Sequence, residues 1–122
     1  MANPNINPVL DFVVFFCADL DQAQETFSKL GFEYYPEESS PNFRQFKGVP
    51  GGPAFGLSLA GENTPPAGTA QVYFETTRLE DLHQRTADQG LATSPILHMP
   101  FGDIFTLPAS PDLKSVVLLR DR

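Results

Sequence analysis

A constant offset of 59 residues brings the two halves of this chain into register. It sets Val72 on Val13, Phe74 on Phe15, Leu79 on Leu20 and Gly90 on Gly31. Near the end of each half it sets Val117 on Ser58. Chance can match a few apolar positions. It is less able to match a strand, a capped helix start and a terminating glycine together. A period of this length makes each half one supersecondary unit that cannot bury its apolar face alone.

The order of elements follows from local patterns. Residues 9–17 are almost continuously apolar, β-branched or aromatic, which predicts a strand covered on both faces. Asp19 and Gln22 have the spacing of a capping box. Leu20, Ala23, Phe27 and Leu30 then recur at helical spacing, and Gly31 supplies a left-handed C-cap. A helix is predicted over 20–30. Extended stretches follow at 32–35, 43–47 and 54–60, separated by turn residues at 36–41 and 48–53. Residues 61–68 have almost nothing to bury and read as a linker. In the second half 71–75 reads as a strand. Thr77 and Glu80 offer a second capping box, Leu79 and Leu82 a weaker stripe, and Gly90 a stop. Further strands fit 92–98, 103–107 and 115–120. The expectation is an α+β fold of two tandem βαβββ modules in one domain, at about 8–60 and 69–122.

Composition narrows the function. The hydrophobic fraction of 41% suits a globular chain and is too high for a disordered one. No apolar run approaches the roughly 18 residues of a membrane helix. The start, Met1-Ala2-Asn3-Pro4-Asn5, lacks the basic and apolar stretches of a secretion signal, so a cytoplasmic location is expected. The net charge of −7 and eight scattered basic residues argue against nucleic acid, whose phosphates require clustered Lys and Arg. The single cysteine, Cys17, excludes an intrachain disulfide and reads as a buried structural thiol. The Gly51-Gly52 pair lies between prolines and reads as a turn, and no nucleotide fingerprint or serine-histidine-acid arrangement is present.

Particular motifs resemble one superfamily. Ala18-Asp19-Leu20 followed by Phe27-Ser28-Lys29-Leu30-Gly31-Phe32 is similar to the first helix of the vicinal-oxygen-chelate superfamily, which includes glyoxalases, bleomycin-resistance proteins and dioxygenases. That helix usually ends in an LGF segment. Pro100-Phe101-Gly102-Asp103, then Ser110-Pro111-Asp112 through Leu119, resembles its "PWG…DPDGN" ending, with Leu113-Lys114 replacing the usual Gly-Asn turn. The resemblance implies a cupped mixed sheet and a homodimer, with a small-molecule cavity on the concave faces.

It also implies where chemistry would sit. Enzymes of the family hold a divalent metal through His, Gln or Glu in the first strand and Glu in the last strand of each module. Those positions here are Phe12, Ser58, Gln71 and Val117. A metal site needs about three N, O or S donors, and only Gln71 is a recognised one. The expectation is therefore a metal-free binding protein with no cofactor, taking an apolar or cationic small molecule. If Phe12 points into the cavity, period two sends Val14 and Phe16 there, and Gln71 carries Tyr73 and Glu75 with it. Ser58 and Val117 complete the floor and Phe101 a rim. The plainer alternative is that these aromatics fill the module interface. Glu75 suits a cationic ligand or a base, and otherwise reads as a solvated strand-end carboxylate. The alternative enzyme reading is a metal-dependent lyase or dioxygenase with displaced donors Gln71, Glu75 and His98. A third is an accessory protein acting through its surface. His83, on the second helix, reads as a surface residue. All these face assignments depend on register, since a slip of one residue reverses them.

Overall fold

The protein is described here from a computed structural model, which places residues 7–48, 53–109, 112 and 115–121. The expected turn at 48–53 and the tail motif at 110–115 lie largely outside the described residues. The chain forms two compact units, residues 11–71 and residues 72–121 with 7–10.

In residues 11–71, β1 (Val9–Cys17) runs parallel to β3 (Ala54–Leu59), and β3 pairs antiparallel with β2 (Phe43–Phe46). Between β1 and β2 lies α1 (Leu20–Lys29). Asp19 starts this helix, as expected: its Oδ1 accepts from the Gln22 N–H at 3.0 Å. Gly31 ends it at φ 103°, where the Phe32 N–H reaches the Phe27 carbonyl and the Gly31 N–H reaches Ser28, the doubled C-cap that a left-handed glycine permits. Leu20 of α1 buries against Phe46 and Leu57, and Phe15, Phe27 and Phe55 pack around them. Fully burying one such side chain stabilises by about 1.5–3 kcal/mol. Leu30 does not join this core and stays exposed. The chain has already turned at Gly31, and the Phe32 ring takes that place against Phe27 and Phe55.

In the second unit, β4 (Ala70–Glu75) runs parallel to β7 (Val116–Asp121), followed by β6 (Gly102–Thr106) and β5 (Leu97–Met99), both antiparallel. The helix α2 (Leu79–Asp88) lays Leu79 and Leu82 on Phe105 and Leu118. Gly90, at φ 86°, repeats the C-cap of Gly31. The fold is α+β with mixed parallel and antiparallel pairing, as predicted.

Three local expectations fail. Residues 32–35 form only an isolated bridge, Tyr34 to Phe46, before a 3-10 turn at Pro36–Glu38, because Pro36 has no N–H to extend a ladder. Residues 92–96 are irregular and β5 is short. Here Pro95 interrupts the ladder, and the Ser94 hydroxyl accepts the Thr106 N–H in place of a strand carbonyl. The Thr77–Glu80 capping box does not form: α2 caps at Arg78 without a side-chain bond, and the Glu80 carboxylate is engaged by Arg120. Among the described residues, no helix is long and apolar enough to cross a membrane.

Candidate functional site

Each unit's sheet has one side covered by its helix and one side that is not. In residues 11–71 the helix side carries Phe15, Cys17, Phe46, Phe55 and Leu57. The parallel register pairs Phe12 with Ala54, Val14 with Gly56 and Phe16 with Ser58, so these six residues share the opposite side. The antiparallel register adds Phe43 and Gln45. The sequence-predicted residues Phe12, Val14, Phe16 and Ser58 therefore come together on one helix-free face. Val14 and Phe16 are buried there, while Phe12 and Ser58 are half-buried. The Phe12 and Phe43 rings lie 6.3 Å apart.

In the second unit Tyr73 pairs with Val117 and Glu75 with Leu119, opposite the α2 side where Phe74, Phe105 and Leu118 lie. Val117 is buried and its neighbour Tyr73 half-buried. Burial pushes the Tyr73 phenol above its ordinary pKa, because the phenolate loses hydration. Phe101, half-exposed, meets the Tyr73 ring edge-on at 6.3 Å and 82°. Gln71 shares the Tyr73 and Glu75 side of β4 by alternation. A carboxylate oxygen of Glu75 lies within 4.8 Å of one from Asp121. Two carboxyl groups thus meet on the helix-free face.

The histidines and the cysteine belong to the other side. His98 pairs with Asp103 across β5 and β6, and its Nδ1 lies 2.7 Å from Asp103 Oδ1. It thus faces α2, away from Glu75, and the displaced-donor set of Gln71, Glu75 and His98 does not assemble. His83 is no free surface histidine: its Nε2 lies 2.8 Å from the Ser94 carbonyl and 3.0 Å from Thr93 Oγ, and its ring stands edge-on to Phe105. Cys17 is half-buried at a shallow groove of about 340 Å³ beside Gln22 and Thr26, again on the helix side. Burial pushes its thiol pKa up.

Sequence reasoning missed Phe43, Gly56 and Asp121. Phe43 and Asp121 join these faces through cross-strand register, which no local pattern contains. A glycine inside the predicted strand 54–60 was the available signal for Gly56.

No protein-family model and no curated protein matches the sequence. Solved structures do. Methylmalonyl-CoA epimerase from Mycobacterium tuberculosis is similar at 18% identity and TM-score 0.70, over 100% of this chain and 93% of that one. A glyoxalase/bleomycin resistance protein/dioxygenase superfamily member from Vibrio splendidus 12B01 is similar at 18% identity and TM-score 0.65, over 94% and 100%. An NAD-dependent benzaldehyde dehydrogenase from Legionella pneumophila is similar at 22% identity and TM-score 0.64, over 91% and 98%. The fold is that of the vicinal-oxygen-chelate superfamily. At these identities the likeness carries the fold alone, because one scaffold serves many chemistries.

Proposed function

We propose that this chain of vicinal-oxygen-chelate fold is a metal-free small-molecule-binding protein. It works as a homodimer and takes an apolar or cationic ligand on its helix-free sheet faces. One observation carries the reading. The registers put Phe12, Ser58 and Val117 on those faces, and strand alternation adds Gln71, the four positions where the resemblance implies metal donors; Phe and Val have no lone pair to offer, which leaves the Gln71 amide and the Ser58 hydroxyl. Phe12, Val14, Phe16 and Tyr73 instead give aromatic and aliphatic walls with a few polar groups, the composition of most small-molecule sites. The exposed Leu97 and Phe101 beside the second face supply apolar surface for a partner copy.

The Glu75–Asp121 pair favours the cationic class, and it equally suits a divalent ion. Native mass spectrometry of freshly purified protein separates the two. A dimer without metal, with or without an organic mass, supports the binding reading. One divalent ion per chain overturns it in favour of a metal-dependent reaction. A thermal-shift screen of aromatic and cationic compounds follows. A ligand at a hundredfold excess over its dissociation constant stabilises by about 2.7 kcal/mol. That shift should be unchanged by chelator, and its absence across the whole collection counts against the proposal.

A further inference from the structure

We infer that the slot above Gly56, filled here by the chain's own Phe43 ring, is a subsite for the ring of a neutral aromatic ligand, with Phe43 swinging out as the ligand enters. The inference rests on the small-molecule-binding reading and names a ligand class for it.

Gly56 sits in the middle of β3, where a glycine weakens a strand and marks a close approach. The approach is by two rings. A Cβ at Gly56 would lie 2.4 Å from Phe43 Cζ, 2.5 Å from Phe43 Cε1 and 3.2 Å from Phe12 Cζ. Gly56 is paired with Val14 on one side and Gln45 on the other. Phe12 is paired with Ala54 and Phe43 with Ser58, so the rings reach Gly56 diagonally from both flanking strands. Their planes are 32° apart, and two carbons of the Phe43 ring occupy the space that a Cβ at Gly56 would need.

The slot is thus ring-sized, with a buried Val14 beside it and Phe12 as a wall. The polar groups along the same face, the Ser58 hydroxyl and the Gln45 amide, are uncharged. They suit a ring bearing one hydroxyl. Phe43 is also the dispensable occupant. It opens β2, is half-buried, and lies on the opposite side from the Leu20, Phe46 and Leu57 core. Its departure gives up the Phe12 ring contact and leaves the Leu20, Phe46 and Leu57 cluster intact. While it stays, it competes with any ligand, so the apparent affinity falls with the population of the open state.

The probe is p-cresol, titrated into the full chain by calorimetry and by the amide resonance of Gly56. In the wild type p-cresol should move the Gly56 amide. Phe43→Ala should bind about tenfold tighter, because the competing ring is gone. Adding Gly56→Val to Phe43→Ala should abolish binding, since the branched side chain then fills the slot. A Phe43→Ala variant that binds no tighter, or whose binding survives Gly56→Val, overturns the inference. The wild-type titration needs no variant to fold, and a Gly56 amide untouched at saturation overturns it too. Screened compounds that stabilise wild type and Gly56→Val equally overturn the slot and leave the binding reading standing. A wild type that takes up neither p-cresol nor any screened compound overturns both.

Discussion

Asp103 is the most deeply buried carboxylate among the described residues, 8% exposed, and two side chains from neighbouring strands hold it. Arg120 Nη2 lies 2.6 Å from Oδ2, and His98 Nδ1 lies 2.7 Å from Oδ1. Arg120 also reaches both oxygens of Glu80 on α2, one of them at 2.8 Å, so it ties α2 to β6 and β7. Removing one partner of a buried ion pair costs about 3–5 kcal/mol, because the other charge is left without compensation. Arg120 is partly exposed and Asp103 keeps His98, so Arg120→Met should cost less, about 2–3 kcal/mol. Asp103→Asn retains shape and leaves Arg120 its exposed partner, so about 1–2 kcal/mol is expected. The double variant leaves no buried charge unpaired. It should be more stable than the sum of the singles by about 1–2 kcal/mol. Glu80→Gln, at the exposed end, should cost no more than about 1 kcal/mol. Urea unfolding at neutral pH reads all four, provided the slopes agree. Additive singles, or an Arg120→Met loss no larger than that of Glu80→Gln, would refute the claim that Asp103 depends on Arg120. The Arg120 contact also holds the Glu80 carboxyl below its ordinary value of 4.5. Its contribution is therefore complete above that pH and is lost as pH falls through the lower folded value. Glu80→Gln should remove that part of the acid dependence.

Two further outcomes test the environments described above. With three tyrosines and no tryptophan, the phenolate absorbance of the native protein is clean, and Tyr73→Phe should remove a step that titrates above pH 10.0. Because burial raises the folded value, Tyr73 supports the fold below pH 10.0 and that support is lost as pH climbs through the folded value, a loss Tyr73→Phe should lack. Cys17 donates to the Phe15 carbonyl at 3.4 Å and has a raised pKa, so alkylation at neutral pH should be slower in the native protein than in urea; equal rates would place the thiol in water.

What was legible in the chain was periodic or punctuated. Alternation along 9–17 sorted Phe12, Val14 and Phe16 from Phe15 and Cys17, and the structure keeps that division. Gly31 and Gly90 marked both helix ends because each must adopt positive φ. Two of the failures share a cause. Pro36 and Pro95 cut predicted strands short, and proline's missing N–H was visible but underweighted. The Asp103–Arg120 and Glu80–Arg120 pairs span 17 and 40 residues, so no local pattern announces them. Glu80 was read as a cap by its spacing from Thr77, while a guanidinium across the unit outcompeted a backbone amide for it. The Gly56 slot needed three strands in register before its occupant could be named.

The repeat itself separates the side that seats the helices from the side that does not. On the helix side the 59-residue offset keeps residue character: Val13 with Val72, Phe15 with Phe74, Leu20 with Leu79, and Phe46 with Phe105, where Phe46 and Phe105 are each 0% exposed. On the helix-free side it does not. Phe12 corresponds to Gln71, Val14 to Tyr73, Phe16 to Glu75 and Ser58 to Val117. Close packing explains the first set, because each helix must seat on its sheet at interior density and volume changes there are felt at once. The second set also holds buried residues, Val14, Phe16 and Val117, but seats no helix, and its character differs between the halves. The first face is consequently aromatic and aliphatic, while the second combines an aromatic corner with paired carboxylates. The two helix-free faces are therefore chemically different surfaces on one repeated scaffold. Exchange at the buried positions, Phe16→Glu or Val117→Ser, should therefore destabilise the chain, whereas exchange at the half-buried Phe12 and Gln71 should cost less.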